Sequence, residues 1–224
     1  MRKYIYILVC FVSATSVFCQ KSISDIIKKI PLSTCYSADL SPSDTIVDIK
    51  NGYYEISSAY DKTKITLIEA ALFKNTDSTA TIAVSGLKAD EQCSFHHIYF
   101  YEYNWKTDNI KPIADKDVLP EFNLKMFFKK SSVKKTLLPY LKAIQKAYLT
   151  DSAGIDDVLD EIYSYRFLIP RSGTTLMINL DICDYIPTNV VGIKPADWKI
   201  VETDFKKITL RYDKKKKRFF VSSN

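Results

Sequence analysis

The stretch Ser94-Phe95-His96-His97-Ile98-Tyr99-Phe100-Tyr101-Glu102-Tyr103-Asn104-Trp105 decides how this chain folds. It contains neither glycine nor proline, and its aromatic residues favour pleated backbone. At the strand period of two, one face carries Phe95, His97, Tyr99, Tyr101, Tyr103 and Trp105. The other carries Ser94, His96, Ile98, Phe100, Glu102 and Asn104. One face is therefore aromatic over about 33 Å at strand rise, while the other is apolar only in its middle. Two readings follow. The rings pack under a helix or a second sheet, with tyrosine hydroxyls reaching the rim. Alternatively the polar end of the strand presents Tyr101, Tyr103 and Trp105 as an exposed platform for a sugar or peptide, since such rings combine contact area with one wet edge.

Working outward, Tyr53 to Ala59, Lys64 to Lys74 and Ala80 to Gly86 are further strand-like runs, separated by the turn-like clusters 60–63 and 75–78. Ile110 to Ala114 returns beside the aromatic strand, completing a meander with short antiparallel connections. Near the C-terminus, Tyr163, Tyr165, Phe167 and Ile169 alternate with polar residues, and after Pro170-Arg171-Ser172-Gly173 so do Leu176, Ile178, Leu180 and Ile182. That pattern predicts a hairpin with one buried face. A second hairpin is predicted from Ile208 to Tyr212 and Arg218 to Ser222, turning through Asp213 and Lys214 to Lys217.

Helical signals are fewer. Ser24 before Asp25 to Ile30, stopped by Pro31, predicts a short capped helix, and 31–51 reads as irregular. Leu137, Leu141, Ile144 and Tyr148 fall at helical spacing, with Pro139 in the first turn or at a kink. Ile155 to Glu161 predicts another short helix. The expected fold class is α+β: mostly antiparallel meander and hairpins, with two or three helices packed on the sheet.

The N-terminus predicts export. Arg2 and Lys3 precede an apolar run from Tyr4 to Val12, and mostly small residues lead to Val17-Phe18-Cys19 before Gln20. This is the layout of a cleavable signal peptide over 1–19, too short to span a bilayer. Lipid attachment at Cys19 is disfavoured by Phe18 and Ser16, where that chemistry wants a small and an aliphatic residue. Residues 20–224 then form a single globular domain, periplasmic or secreted, with no later segment of membrane-spanning length. The formal charge of +6 includes two charges from Arg2 and Lys3, and much of the rest sits in Lys214 to Arg218. Such a mild excess argues against nucleic acid as a partner. Three cysteines remain after the leader, Cys35, Cys93 and Cys183. They allow one disulfide with the pairing open, or are all buried thiols.

Residue patterns for catalysis are absent. His96 and His97 point to opposite faces of a strand and cannot readily share a metal. Cys93 and His97 share a face, but lie about 13 Å apart. No HExxH, GxSxG, SxxK or Walker loop occurs, so no cofactor and no metal is expected. The acidic cluster Asp151, Asp156, Asp157, Asp160 and Glu161 lacks the alternating ligands and glycine of a calcium loop and reads as a solvated helix face. Lys214 to Lys217 reads as a solvated turn that discourages edge pairing.

The leader ending Phe18-Cys19-Gln20, the tyrosine-rich strand His97 to Tyr103 and the closing hairpin Ile208 to Phe219 together resemble small, uncharacterised exported proteins of Bacteroidetes-type bacteria. The resemblance implies an envelope location and carries no catalytic residues. Two functions stand open: a non-enzymatic envelope or secreted binding module, with an envelope protein or glycan as partner, and a hydrolase acting on an envelope polymer through paired carboxylates.

Overall fold

The computed structural model describes residues 21–31, 44–61, 64–89, 94–128, 163–182 and 205–222. Strands β1 (Asp44–Asp48), β2 (Tyr53–Asp61), β3 (Lys64–Lys74), β4 (Thr79–Ala89), β5 (Ser94–Asn104) and β6 (Asn109–Ile113) form one antiparallel meander, each beside the next. Strands β7 (Tyr163–Leu168), β8 (Thr175–Ile182), β9 (Ile208–Asp213) and β10 (Arg218–Val221) form a second sheet in the order β10-β9-β8-β7. The described helices are short: α1 (Ile23–Ile27), α2 (Asp115–Val118) and a 3-10 turn at Leu124–Phe127.

The α+β expectation is therefore corrected. The protein is a β-rich fold of six- and four-stranded antiparallel sheets with two short α-helices among the described residues. The expected helices over 137–148 and 155–161, the acidic cluster, the leader and Cys35, Cys93 and Cys183 lie outside the described residues. Two local expectations also change. The cap of α1 is Ser22, whose side chain accepts from the Asp25 N–H while the Asp25 carboxylate accepts from the Ser22 N–H. That reciprocal pair satisfies two donors at once. Within the stretch expected to be irregular, Asp44–Asp48 pairs with β2 as an edge strand. Its side chains are almost all exposed, so no alternation marks it.

The central strand β4 explains the layering, because every residue from Thr79 to Gly86 is buried. On one face Ile82 and Val84 join Ile56, Ile68 and Ala70 beneath Ile23, Ile26 and Ile27 of α1. On the other, Ala83 joins Phe73, Ile98 and Phe100 against Leu176, Ile178, Leu210 and Phe219 of the second sheet. Burying such aliphatic and aromatic side chains stabilises by about 1.5–3 kcal/mol each before entropy is counted. The two faces of β5 divide in the same way. Tyr101 and Tyr103 belong to the α1 side, and Ile98 and Phe100 face the second sheet.

The second sheet docks through its edge strand. The Ser85 hydroxyl donates to the Phe167 carbonyl at 3.3 Å, and the Ile169 N–H is hydrogen-bonded to the Glu69 carboxylate. Backbone groups that an edge strand would otherwise bury unpaired are satisfied by side chains of the facing sheet.

Candidate functional site

A cleft of about 870 Å³ opens where several strand ends and turns gather. Its wall is built from the start of α1, the β1–β2 turn, the end of β3, the residue after β5, the β7–β8 turn and the β9–β10 hairpin. Each contributor is fixed locally. In the β1–β2 turn, Asp48 accepts from the backbone and side-chain nitrogens of Asn51 at 3.1 and 2.9 Å. Gly52 has φ +66, which favours glycine, and a Cβ there would stand 3.1 Å from the Leu72 Cβ, close enough that Leu72 would have to give way. This turn presents Lys50 to the cleft.

The lysine turn divides its charges. Asp213 Oδ1 accepts from the Lys215 and Lys216 N–H groups at 2.8 and 3.1 Å, and these bonds hold its carboxyl below the usual range. Lys217 turns away and pairs with Asp77 at 2.7 Å and Glu102 at 2.9 Å. Lys214 and Lys215 remain on the cleft, with Lys74 and Arg211. Lys50, Lys74, Arg211, Lys214 and Lys215 have no carboxylate within ion-pair distance among the described residues. Asp213 is the one carboxylate among the described residues that line the cleft. A 300–1,000 Å³ concavity with apolar walls and a few polar groups is ordinary for ligand sites.

The structure separates the three aromatic residues singled out in the sequence. Tyr101 is 8% exposed and Tyr103 1%, both beneath α1. Trp105 is half-buried and lines the cleft. Its ring meets Tyr103 edge to face, with centroids 4.8 Å apart and planes at 89°. Tyr103 is held in turn by donating its hydroxyl to Asp108 at 2.6 Å. Phe220, opposite Arg211 on β10, is 44% exposed and adds a second accessible ring.

Carboxylates do come together elsewhere. Glu55 and Glu69 stand directly opposite on β2 and β3, and the Tyr53 hydroxyl lies 2.7 Å from Glu55 and 2.9 Å from Glu69. Burial pushes the Glu69 carboxyl up, with the Glu55 charge adding to it, while Tyr53, Arg166 and the Ile169 N–H act the other way. This pair meets on one hydroxyl beneath the docked β7 edge, and it lines neither described cleft. The second cleft, about 810 Å³, lies along the first half of β5, with half-buried His96 and exposed His97 on its wall. Among the described residues no three His, Cys, Asp or Glu side chains are grouped to hold a metal.

Lys50, Lys74 and Arg211 carried no signal in the sequence, being scattered singly over three elements. The lysine turn was visible, but the division of labour within it was not.

No protein family matches the chain, and no curated protein does. Among solved structures it is similar to a domain of an uncharacterized protein from Porphyromonas gingivalis W83, at 14% identity and a TM-score of 0.51. The match covers 80% of this chain and 74% of that one. At this identity the likeness concerns the fold, and it is consistent with the resemblance to uncharacterised Bacteroidetes-type proteins. It assigns no activity. No helix among the described residues is long and apolar enough to cross a membrane.

Proposed function

We propose that the protein is an exported, non-enzymatic binding module that holds an envelope glycan in the cleft beside Trp105. The observation that carries this reading is the composition of the wall. Six cations and two accessible rings line it among the described residues. Lys21 is paired with Asp108, the other five have no carboxylate partner there, and Oδ1 of the one carboxylate, Asp213, accepts from backbone N–H groups. This wall offers groups that hold a ligand. Among the described residues it offers no paired acid and base, and the Glu55–Glu69 pair lies elsewhere, so no observation favours a hydrolase. Within the site, Trp105 makes the ring contact, Tyr103 buttresses it edge-on, and Tyr101 backs the same stripe from the core.

Export and cleavage before Gln20 belong to this reading, as does a single domain over 20–224. The packed structure is compatible with the expected cut. The Ser22 cap and the buried Ile23 begin within three residues of the expected cut, leaving little tether between cut and core. The intact mass of the exported protein should equal that of a chain starting at Gln20; a lipid-bearing Cys19 in the mature species would refute this.

Binding is tested by glycan-array or calorimetric titration of the full exported chain against envelope glycans. Trp105→Ala should abolish binding in a protein that remains folded, its thermal midpoint lowered by the lost edge contact with Tyr103. Unchanged binding in that variant would remove the cleft from consideration.

A further inference from the structure

We infer that the occupant of this cleft is a polyanionic glycan, one bearing carboxylate or phosphate groups along its chain; the inference rests on the reading of the cleft as the binding site. Lys50, Lys74, Arg211, Lys214 and Lys215 converge from three separate parts of the fold on one concavity. Like charges brought together around a low-dielectric wall repel one another and focus a positive potential into it. The acids close by relieve that repulsion only in part, because Asp213 is one negative charge beside Lys215 and the others are engaged with other cations, which leaves the five unpaired. Asp213 is turned to the Lys215 and Lys216 N–H groups. Asp108 holds Lys21, Lys29 and the Tyr103 hydroxyl, and Asp77 and Glu102 hold Lys217. A net positive charge is left on the wall, and because its cations come from separate elements instead of forming one chelating pocket, an occupant with negative charge spread along its length matches it.

Glycan, not nucleic acid, follows from the rings and the charge. Among the described residues that line the cleft, Trp105 and Phe220 are the accessible aromatic ones, and two rings give no succession on which consecutive bases could stack. A sugar face against one ring with anionic substituents reaching lysines needs no more than this. The whole-chain charge of +6 is also modest for a protein that tracks a phosphodiester backbone.

The test uses four polymers on the full exported chain: polygalacturonate, a poly(glycerol phosphate)-substituted glycan, neutral dextran and single-stranded DNA. One or both anionic glycans should bind about tenfold or more tighter than dextran at low salt, with the advantage shrinking as salt rises. Which of the two leads tells carboxylate from phosphate. The variant K50E/K74E/K214E/K215E should lose that advantage. The variant K116E/K125E/K206E/K207E makes the same charge change at exposed lysines that do not line this cleft, and should keep it. If the first variant fails to fold, K214A/K215A serves instead, because the bonds ordering that turn run through its backbone. Dextran binding as tightly, with loss in Trp105→Ala, would leave the binding module standing and overturn the polyanion. Tighter binding of DNA than of either glycan would overturn the glycan, and equal losses in the two charge variants would overturn the cleft as the seat of the effect. Binding of none of the polymers would overturn both readings.

Discussion

Tyr212 on β9 and Asn75 after β3 stand 137 positions apart in the chain and share a buried hydrogen bond of 2.6 Å. The same hydroxyl lies 2.5 Å from Thr81 Oγ1, and the Asn75 amide donates to Thr79 Oγ1 at 2.8 Å. This polar knot joins the two sheets inside a wall of aromatic contacts, Phe73 and Phe219 each lying about 5 Å from the Tyr212 ring. Removing the hydroxyl leaves a buried amide oxygen without its donor. We predict that Tyr212→Phe lowers unfolding free energy by about 1–3 kcal/mol. Urea denaturation reads it, and a loss under about 0.3 kcal/mol would mean that the knot does not hold the sheets together.

Glu69 should respond to pH with the opposite sign from most carboxylates. The single hydroxyl proton of Tyr53 cannot serve Glu55 and Glu69 at once, so a proton held by Glu69 completes the set. Its folded-state affinity for protons is raised, first by burial. The native state therefore takes up this proton before the unfolded chain does. The resulting contribution to stability grows as pH falls through the raised value, and levels off below the ordinary glutamate value of about 4.3. Glu69→Gln should flatten that rise and stay near wild-type stability, because its amide oxygen still accepts from Ile169. Glu69→Ala should cost about 1–3 kcal/mol, since the buried Ile169 N–H loses its acceptor. Stability curves between roughly pH 4 and 7 for the three proteins decide it; parallel curves for wild type and Glu69→Gln would refute the claim.

Two four-residue turns, after β5 and after β9, each end on a non-glycine residue with positive φ, Asp108 at 53° and Lys217 at 55°. Both are ionic hubs. Asp108 holds Lys21, Lys29 and Tyr103, and Lys217 holds Asp77 and Glu102. A left-handed residue with a Cβ costs about 1–2 kcal/mol, so each side chain holds its place against backbone preference. Lys217→Ala loses the ties and keeps the strain, while Lys217→Gly loses the ties and relieves it. We predict that the glycine variant is the more stable of the two by about 1 kcal/mol. Equal thermal midpoints for the two would contradict this.

For Asp108 the carboxyl is held well below its usual range, first by the hydrogen bond from Lys21, then by Lys29 and Tyr103. A depressed carboxylate contributes stability that is present above the ordinary aspartate value of about 3.9 and fades as pH falls towards its lowered one. Asp108→Asn tolerates the left-handed backbone but forfeits the charge. It should lower the thermal midpoint at neutral pH and bring it closer to wild type in strong acid. A constant difference across the acid range would indicate that the pairing is not the source.

The N-terminal helix, although only five residues long, is core. Ile26 is fully buried against the face of the six-stranded sheet. Ile26→Ala should cost about 2–5 kcal/mol, the range for emptying a packed aliphatic site. Proteolysis of the variant should then begin at the N-terminal segment; a loss below about 1 kcal/mol would show that α1 is peripheral.

The strand runs were legible because β-structure writes its period into the side chains. Lys64–Lys74 is found at the expected bounds, and the runs around Tyr53, Ala80, Ser94, Tyr163, Leu176, Ile208 and Arg218 differ only at their ends. The edge strand Asp44–Asp48 left no such mark, since neither of its faces is covered. Which layer covers which face was settled by the tertiary fold. The stripe of Tyr101 and Tyr103 meets α1, and Glu102 on the opposite face pairs with Lys217 and Lys111. The cleft is less legible still. Trp105 and the lysine turn stood out in the chain, whereas Lys50, Lys74 and Arg211 did not, and no local pattern links them. Local periodicity is imposed on the sequence by the backbone, residue by residue. A cleft assembled from five strand ends is imposed by how two sheets stack, and that is a long-range choice no single stretch of the chain records.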